Sequence, residues 1–331
     1  LAEHPSEWAL QHRYTNNNGL TVLKRVLLES ENSKCFSELS LGDIIKTSDE
    51  EILPSIMRVA YNRIPKTGSS YMIAMLTALS KKNGFHVENH QNYYPSKEAL
   101  KHDLHALRNN TVYVNHAGFL PSEGDLVWIN VVREPIERWA SVYYYAVDPG
   151  LRGEAANELA RRENDTECGC ARLEFDECIN FLYHRNCSIV VPSQISNFCE
   201  PGFGAVDRKD QDEYCGRELA TTRVHKNYLL VGLTKELELT TQLLEILLPG
   251  VFRGATALPH VSHRATSLTN GLTGTSLNGA ISTRSRKQIA EKAVNYKDEL
   301  LFYKDVKRFF FRQACKHGAL AAPPENSPTA E

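Results

Sequence analysis

A seven-residue apolar run, Leu126–Val132, constrains the fold of this chain more than any other feature. It reads Leu-Val-Trp-Ile-Asn-Val-Val, so both faces of a strand at this position would be almost entirely apolar. Such a strand is typical of the centre of a parallel sheet that helices cover on both sides. The run leads into Pro135, which suits the first turn of a following helix. The segment therefore predicts a strand–helix unit of an α/β protein.

The same order of strand and helix recurs along the chain. The other predicted strands are Ile56–Tyr61, Thr111–Val114 and Tyr228–Leu233, and the predicted helices include Ser70–Lys82, Lys235–Leu248 and residues 285–316. Apolar residues recur at helical spacing in the first of these helices, and Ser69 or Ser70 can cap it. This alternation predicts an α/β fold with a central, mainly parallel sheet flanked by helices.

The composition changes at both ends of the chain. Residues 1–50 are polar and weakly periodic, which is typical of a stem or approach segment. Residues 317–331 are rich in alanine, proline and glutamate, and we expect a disordered tail there. One domain is expected between them, at residues 51–316.

Eight cysteines and three N-glycosylation sequons indicate the compartment. Six of the cysteines lie between positions 168 and 215 without the paired C-x-x-C spacing of a zinc site, which favours disulfides over zinc. The sequons begin at Asn109, Asn164 and Asn186. Clustered cysteines together with sequons favour the secretory pathway.

Charge and hydrophobicity narrow the class of protein further. A formal net charge of −2 gives no support for a nucleic-acid or other polyanionic partner, although it is compatible with a local basic cleft. The sequence contains no uninterrupted apolar run long enough to span a membrane, and it begins with Leu1 and shows no signal peptide. We expect that the natural N-terminus, with an anchor or signal, lies outside this sequence.

The segment Arg63–Ser70 joins the first predicted strand to the first predicted helix. Gly68 lets the backbone approach a ligand closely, and helix amides, Lys66 and the hydroxyls of neighbouring residues would then surround an anion. The order is not that of a Walker A loop, because the lysine precedes the glycine and no G-x-x-x-x-G-K is present. The alternative is an ordinary capped helix with a solvated lysine.

Two further polar residues follow predicted strands. Arg133 follows Leu126–Val132, with Ser141 eight positions on, and it can hold a phosphate in a fork geometry. It could instead pair with Glu134 or Glu137. His116 follows the strand at 111–114, where it could act as a general base, although most isolated histidines have no such role.

This combination resembles the uronyl 2-O-sulfotransferases, a family that includes heparan sulfate and dermatan or chondroitin enzymes and the insect patterning protein Pipe. The resemblance covers about residues 56–312. It rests on Arg63–Ser70, His116 with Phe119–Leu120, Ile129–Arg138 with Ser141 and Tyr143–Tyr145, Phe175–Cys178, Leu229–Glu238, and Phe252–Thr256. It implies a P-loop-like sulfotransferase fold and makes residues 51–316 the catalytic domain.

The resemblance also implies an activity and its site residues. The enzyme would transfer a sulfuryl group from 3′-phosphoadenosine-5′-phosphosulfate (PAPS) to a glycan hydroxyl, such as the 2-hydroxyl of a uronic acid in a glycosaminoglycan, leaving PAP. The implied donor-binding residues are Arg63, then Lys66, Thr67, Gly68, Ser69 and Ser70 at the 5′-phosphosulfate, and Arg133 and Ser141 at the 3′-phosphate. His116 would be the catalytic base, and Lys66 would stabilise the leaving phosphate. We expect no required metal, because Lys66 and backbone amides can neutralise that phosphate.

Location, assembly and disulfide pairing are implied as well. The family resemblance implies a homotrimer and a type II Golgi membrane protein whose catalytic part lies in the lumen, with a glycan as its partner and membrane contact only through the N-terminal anchor. Two disulfides that close short loops, Cys178–Cys187 and Cys199–Cys215, are expected, and the resemblance supports them. Cys168 and Cys170 are too close for an easy bridge to each other and would pair elsewhere, with Cys35 and Cys315 as candidates.

The acceptor side departs from the heparan sulfate enzyme, because several of its polar or basic positions are lost. The residues that stand there in this chain are Ala74, Thr77, Asn89, Val114, Asp148 and Gly153. Arg152 and Arg253 are the candidates for acceptor binding.

The loss of acceptor-side groups leaves other functions open. One alternative is a Pipe-like sulfotransferase that acts on glycoprotein glycans. Another is a non-catalytic glycan- or nucleotide-binding module, although retention of Lys66, His116 and Arg133 together argues against it. A P-loop kinase is disfavoured, because the Walker A sequence and a magnesium-binding carboxylate signature are absent.

Overall fold

A computed structural model describes residues 58–90, 95–121, 126–147, 167–170, 173–201, 215–258 and 281–319. Its strands are β1 Arg58–Asn62, β2 His86–Asn89, β3 Thr111–Asn115, β4 Leu126–Val132 and β5 Tyr228–Leu233. Its helices are α1 Ser69–Asn83, α2 Lys97–Ala106, α3 Pro135–Val147, α4 Phe175–His184, α5 Arg217–Asn227, α6 Leu237–Leu247, α7 Pro249–Phe252, α8 Thr283–Lys292 and α9 Tyr296–Lys316.

The five strands form one sheet in the order β2-β3-β1-β4-β5. Every pairing between neighbours is parallel, which confirms the predicted α/β architecture. Because β1 lies between β3 and β4, the carboxyl ends of these three strands meet at the same edge of the sheet. Asn62 at the end of β1 is level with Asn115 at the end of β3. The segments that follow these strands, which begin at Arg63, His116 and Arg133, therefore start at one edge.

A buried polar cluster interrupts the apolar core where β1 ends. The Asn130 side-chain amide donates to Asn62 O at 2.7 Å and lies 2.9 Å from Asn62 Oδ1. The hydroxyl of Tyr228 donates to the same Oδ1, and the Asn62 amide donates to Asn197 O. Buried polar groups need such partners, so this cluster explains the asparagine within the apolar run of β4 and fixes the point at which the chain leaves the sheet.

The long helix predicted at residues 285–316 is two helices, so that prediction is wrong. Ala293 ends α8 and forms a parallel bridge with Ile189, and Asn295 precedes α9. The Asn295 side chain accepts from Val191 N and donates to Val191 O at 2.6 Å. These contacts with a distant segment hold residues 293–295 out of the helical conformation, although the amphipathic pattern continues through them.

The disulfide prediction is right for one pair and wrong for the other. Cys199 bonds to Cys215 as expected, but Cys187 bonds to Cys168, and Cys178 bonds to Cys170. Cys178 lies within α4 and Cys187 follows its end at His184, and at a rise of about 1.5 Å per residue the helical residues after Cys178 separate the two cysteines beyond the reach of a disulfide. Cys168 and Cys170 therefore do not pair with Cys35 or Cys315, the remote partners considered above. Cys315 is also disulfide-bonded.

The proposed stem at 1–50 and residues 320–331 of the proposed tail lie outside the described residues.

Candidate active site

The loop between β1 and α1 adopts two left-handed backbone conformations. Lys66 has φ 66° and Gly68 has φ 92°, the second of which favours glycine because other side chains are strained there. The buried Thr67 between them donates its hydroxyl to Ile64 O at 2.9 Å, which folds the loop back on itself. Backbone N–H groups in such a turn can form a concave anion-binding surface.

Helix α1 starts directly from this loop, and its first turn has no side-chain cap. The N-cap is Gly68, so the prediction that Ser69 or Ser70 caps the helix is wrong. Both serines instead belong to the first turn, where Ser70 is exposed and Ser69 is half-buried. The N–H groups of a first helical turn lack partners within the helix, and the helix dipole favours a negative charge beside them. An anion in the loop would supply what the missing cap does not.

Arg133 extends from the end of β4 towards the same loop. Its Nη1 donates to Lys66 O at 3.4 Å, and its Nε is buried and has no hydrogen-bond partner in the described part of the chain. Burial lowers the pKa of the Arg133 guanidinium, since it removes charge from water. The carboxylates considered as its partners bind other cations: Glu137 lies 2.7 Å from Lys235 Nζ and Glu134 lies 3.6 Å from Arg286 Nη1. An anionic ligand would therefore suit this guanidinium.

His116 lies beside the start of the loop. Its Nδ1 is 2.8 Å from Arg63 O, and a carbonyl can only accept, so Nδ1 carries the hydrogen and Nε2 carries the lone pair. Burial, followed by the nearby charges of Arg63 and Arg138, lowers the pKa of His116 to about 4. The imidazole is therefore neutral at physiological pH and can accept a proton through Nε2.

Positive charge is concentrated around the loop. Lys66 Nζ lies 4.2 Å from the centre of the Tyr145 ring, and burial and then Arg133 lower the pKa of Lys66 below its usual value. Arg63 is buried, and its backbone N donates to Asn115 O at 2.8 Å. Like charges this close destabilise one another, so the cluster favours a ligand that brings negative charge.

The remaining predicted residues are spread over the molecule. Ser141 is buried in α3, about two turns from the helix start that follows Arg133. Arg253 lies at the far end of α1, where the side chain of Asn83 donates to Arg253 O, and α1 is about 20 Å long. The structure therefore does not bring Arg253 to the loop. The sequon residues Asn109 and Asn186 are exposed. Arg152 and Asn164 lie outside the described residues.

Three polar residues to which the sequence analysis assigned no role form hydrogen bonds that hold the backbone around this site. Arg138 donates to Pro65 O at 2.9 Å and to Pro192 O at 2.8 Å. The Thr234 hydroxyl lies 2.9 Å from Thr67 O and 3.0 Å from Val132 O, which ties the loop to β4. Gln194 binds the backbone of Arg133. Thr234 follows β5, so the rule that ligands bind at the carboxyl ends of strands could have found it; Gln194 gave no such signal.

A loop of this kind at the carboxyl edge of a parallel sheet is typical of α/β proteins that bind phosphate-type anions. Residues 56–309 match the sulfotransferase family, more than half of the chain, and the chain belongs to that family.

The relatives found by comparison carry out glycan sulfation according to their names. Human uronyl 2-sulfotransferase is 28% identical over 225 residues, which are 63% of this chain and 52% of the relative. Heparan sulfate 2-O-sulfotransferase 1 of Xenopus laevis is 30% identical over 244 residues, 66% of this chain and 61% of the relative. The human heparan sulfate enzyme is 31% identical over 241 residues, 64% and 60% of the two chains. The chain thus spans between half and about three-fifths of the length of these relatives.

The described residues contain no helix that is both long and apolar enough to cross a bilayer. The same residues contain no group of three or more histidine, cysteine, aspartate or glutamate side chains placed to hold a metal ion.

Proposed function

We propose that this chain is the catalytic part of a PAPS-dependent sulfotransferase that acts on the 2-hydroxyl of a uronic acid in a glycosaminoglycan. The observation that carries the proposal is the meeting of Lys66, Arg133 and His116 around one loop of a chain from the sulfotransferase family. A non-catalytic binder would need the cations but not a half-buried, neutral histidine beside them.

The residues fit the donor that the family uses. PAPS carries two anionic groups on its ribose, the phosphosulfate at the 5′ oxygen and the phosphate at the 3′ oxygen, and the site offers two anion-binding features. The uncapped start of α1 with Lys66 suits the 5′-phosphosulfate. The Nε of Arg133, which has no hydrogen-bond partner among the described residues, suits the 3′-phosphate, with Ser141 further along α3. Thr67, Gly68, Ser69 and Ser70 shape the loop between them, and Arg63 sets where it starts.

The proposed chemistry divides between a base and the cations. When bound, PAPS supplies the sulfuryl group that is transferred. His116 Nε2 accepts the proton of the acceptor hydroxyl, and the bond from Nδ1 to Arg63 O holds the ring in the required tautomer. Lys66 and the first-turn amides of α1 stabilise the charge that develops on the leaving phosphate. Both functions need fixed geometry rather than a metal.

Binding of PAP should raise the melting temperature of the protein. A ligand that binds only the folded state stabilises it by about 2.7 kcal/mol at a hundred-fold excess over its Kd, a shift of several degrees for a domain of this size. Arg133→Ala should reduce the shift, because the guanidinium that faces the loop is lost. Differential scanning calorimetry with and without PAP measures both effects. Arg308→Ala, which removes an exposed arginine of α9, is the control and should keep the full shift.

A lightly sulfated acceptor is expected, with heparin bound weakly. At the end of β2, His90 lies 3.7 Å from a carboxylate oxygen of Glu88 and 3.7 Å from one of Asp103. Two acidic side chains therefore lie near the carboxyl end of the outer strand β2. Those carboxylates, and the replacements at Ala74 and Thr77 on α1, disfavour a densely sulfated chain. The protein should leave a heparin column below about 0.5 M salt. Retention above that, with efficient 2-O-sulfation of N-sulfated heparosan, would contradict this acceptor class.

The family, the disulfides and the sequons support a proposed location, and the family alone supports a proposed assembly. We propose a type II Golgi protein with residues 51–316 in the lumen as its catalytic domain and an N-terminal anchor outside this sequence. The disulfides and the exposed sequon residues Asn109 and Asn186 support an oxidising, glycosylating compartment. A homotrimer is proposed from the family alone. A Pipe-like glycoprotein acceptor is the alternative that the acidic side chains near His90 favour.

A further inference from the structure

The segment Pro192–Ile195 lies beside the anion site without being part of it. Gln194 in this segment is completely buried, and its side-chain amide makes two hydrogen bonds to one residue. Its Oε1 accepts from Arg133 N at 2.9 Å, and its Nε2 donates to Arg133 O at 2.7 Å. The pair fixes the peptide groups on both sides of the Arg133 Cα, where β4 has ended and sheet hydrogen bonds no longer hold the backbone.

A buried carboxylate holds Gln194 in turn. Glu299 on α9 is 1% exposed, and its oxygens accept from Gln194 N at 3.1 and 3.0 Å, from the Ser193 hydroxyl at 2.5 Å and from Ile195 N at 3.4 Å. Burial raises the pKa of Glu299, and the hydrogen bonds that its oxygens accept act in the opposite direction. The segment is therefore anchored to the longest helix in the described part of the chain.

The same segment is also tied to the loop that follows β1. Arg138 is 4% exposed and donates from one guanidinium to Pro192 O and to Pro65 O. One anchored segment thus binds Arg133 directly and is linked to the loop after β1 through Arg138. By contrast, the direct bond between Arg133 Nη1 and Lys66 O is long, at 3.4 Å, and would hold the guanidinium only loosely.

We infer that Gln194, held by Glu299, is a positioning residue that sets the place of Arg133 for the 3′-phosphate of the donor. This inference rests on the proposed function. A guanidinium recognises phosphate through a planar fork, so a small displacement of its backbone costs affinity even though every contacting group is retained. Gln194 touches neither donor nor acceptor and acts only through Arg133.

The test compares two side-chain amides, those of the buried Gln194 and the half-buried Asn83, that each bind two backbone groups. Gln194→Met keeps the length of the side chain and removes both hydrogen bonds. Asn83→Leu is the matched control, because Asn83 donates to Val251 O and Arg253 O at the far end of α1. Both variants should lose some thermal stability. Only Gln194→Met should raise the Kd for PAP and the KM for PAPS, by about ten-fold, with little change in kcat or in the KM of the acceptor.

A double-mutant cycle separates positioning from a general loss of structure. In an Arg133→Ala background, Gln194→Met should have little further effect on the Kd for PAP, because the residue through which it acts is gone. Gln194→Asn, which keeps an amide but is too short to span both bonds, gives the same comparison if the methionine variant does not fold. The inference would be overturned by wild-type affinity for PAP in the Gln194 variants, or by an equal loss of affinity in Asn83→Leu. It would also be overturned if the effects of Gln194→Met and Arg133→Ala on the Kd for PAP were additive in the cycle. Failure of the wild-type protein to bind PAP would overturn the proposed function and this inference together.

Discussion

Replacing His116 by alanine is expected to lower kcat by about 100-fold or more, the usual scale for removing a general base. The affinity for PAP should stay within about two-fold of wild type, because the hydrogen bond from His116 goes to the backbone carbonyl of Arg63 and not to a cationic side chain. Steady-state kinetics with saturating PAPS, together with calorimetric titration of PAP, measure the two effects separately. A loss of turnover without loss of donor binding identifies a residue that acts on the acceptor hydroxyl.

The pH dependence gives this prediction a second signature. Protonation of His116 removes the lone pair on which base catalysis depends, so activity falls as pH drops through its pKa. Because that pKa is about 4 in the folded protein, kcat/KM should show no acid limb near pH 6.5, the ordinary value for histidine. His90→Ala is the positional control, since His90 follows β2 at the same edge. Wild-type turnover in His116→Ala, combined with loss in His90→Ala, would move the base to His90.

Replacing Lys66 by alanine is expected to lower kcat by about 100- to 1,000-fold, the scale for removing one charge-stabilising donor from a preorganised site. Lys66 is partly buried beside Arg133, where a cation acts on a developing negative charge more strongly than in water. The effect on PAP affinity should be smaller than the effect on kcat, since Arg133 and the α1 amides still bind the product. Single-turnover kinetics of Lys66→Ala report the chemical step directly.

The control for this variant is a lysine on the same helix. Lys81→Ala removes an exposed cation from the last turn of α1, at the opposite end from the loop, and should keep wild-type turnover. If Lys66→Ala kept more than about a tenth of wild-type kcat, Lys66 would not stabilise the leaving phosphate.

The central strands and the loop could be predicted because each depends on local sequence. Both faces of β4 are apolar, and Gly68 stands where the chain needs a positive φ, so strand, turn and helix appear in the right order. Edge strand β2 was missed, because its sequence His-Val-Glu-Asn has no apolar run. A strand with exposed ends gives little hydrophobic signal, and the helix α2 that follows it was missed as well.

Features that depend on distant contacts could not be predicted. The break between α8 and α9 is set by Asn295 meeting Val191, and no local pattern records that contact. Disulfide pairing depends on which cysteines the fold brings together, so spacing alone left Cys168 and Cys170 without the right partners. Gln194 lies in an irregular segment and binds Arg133 across 61 positions of sequence, which only the folded chain reveals.

The measurement that tests the central claim most directly is transfer of label from radiolabelled PAPS to a panel of acceptors, followed by disaccharide analysis of the products. The panel should contain N-sulfated heparosan, desulfated dermatan and chondroitin, and a glycoprotein carrying uronic acid. We predict label on the 2-hydroxyl of a uronic acid, with a lightly sulfated acceptor preferred, and loss of that label with His116→Ala. PAP binding that raises the melting temperature, without label on any member of the panel, would contradict the account and indicate a binding module.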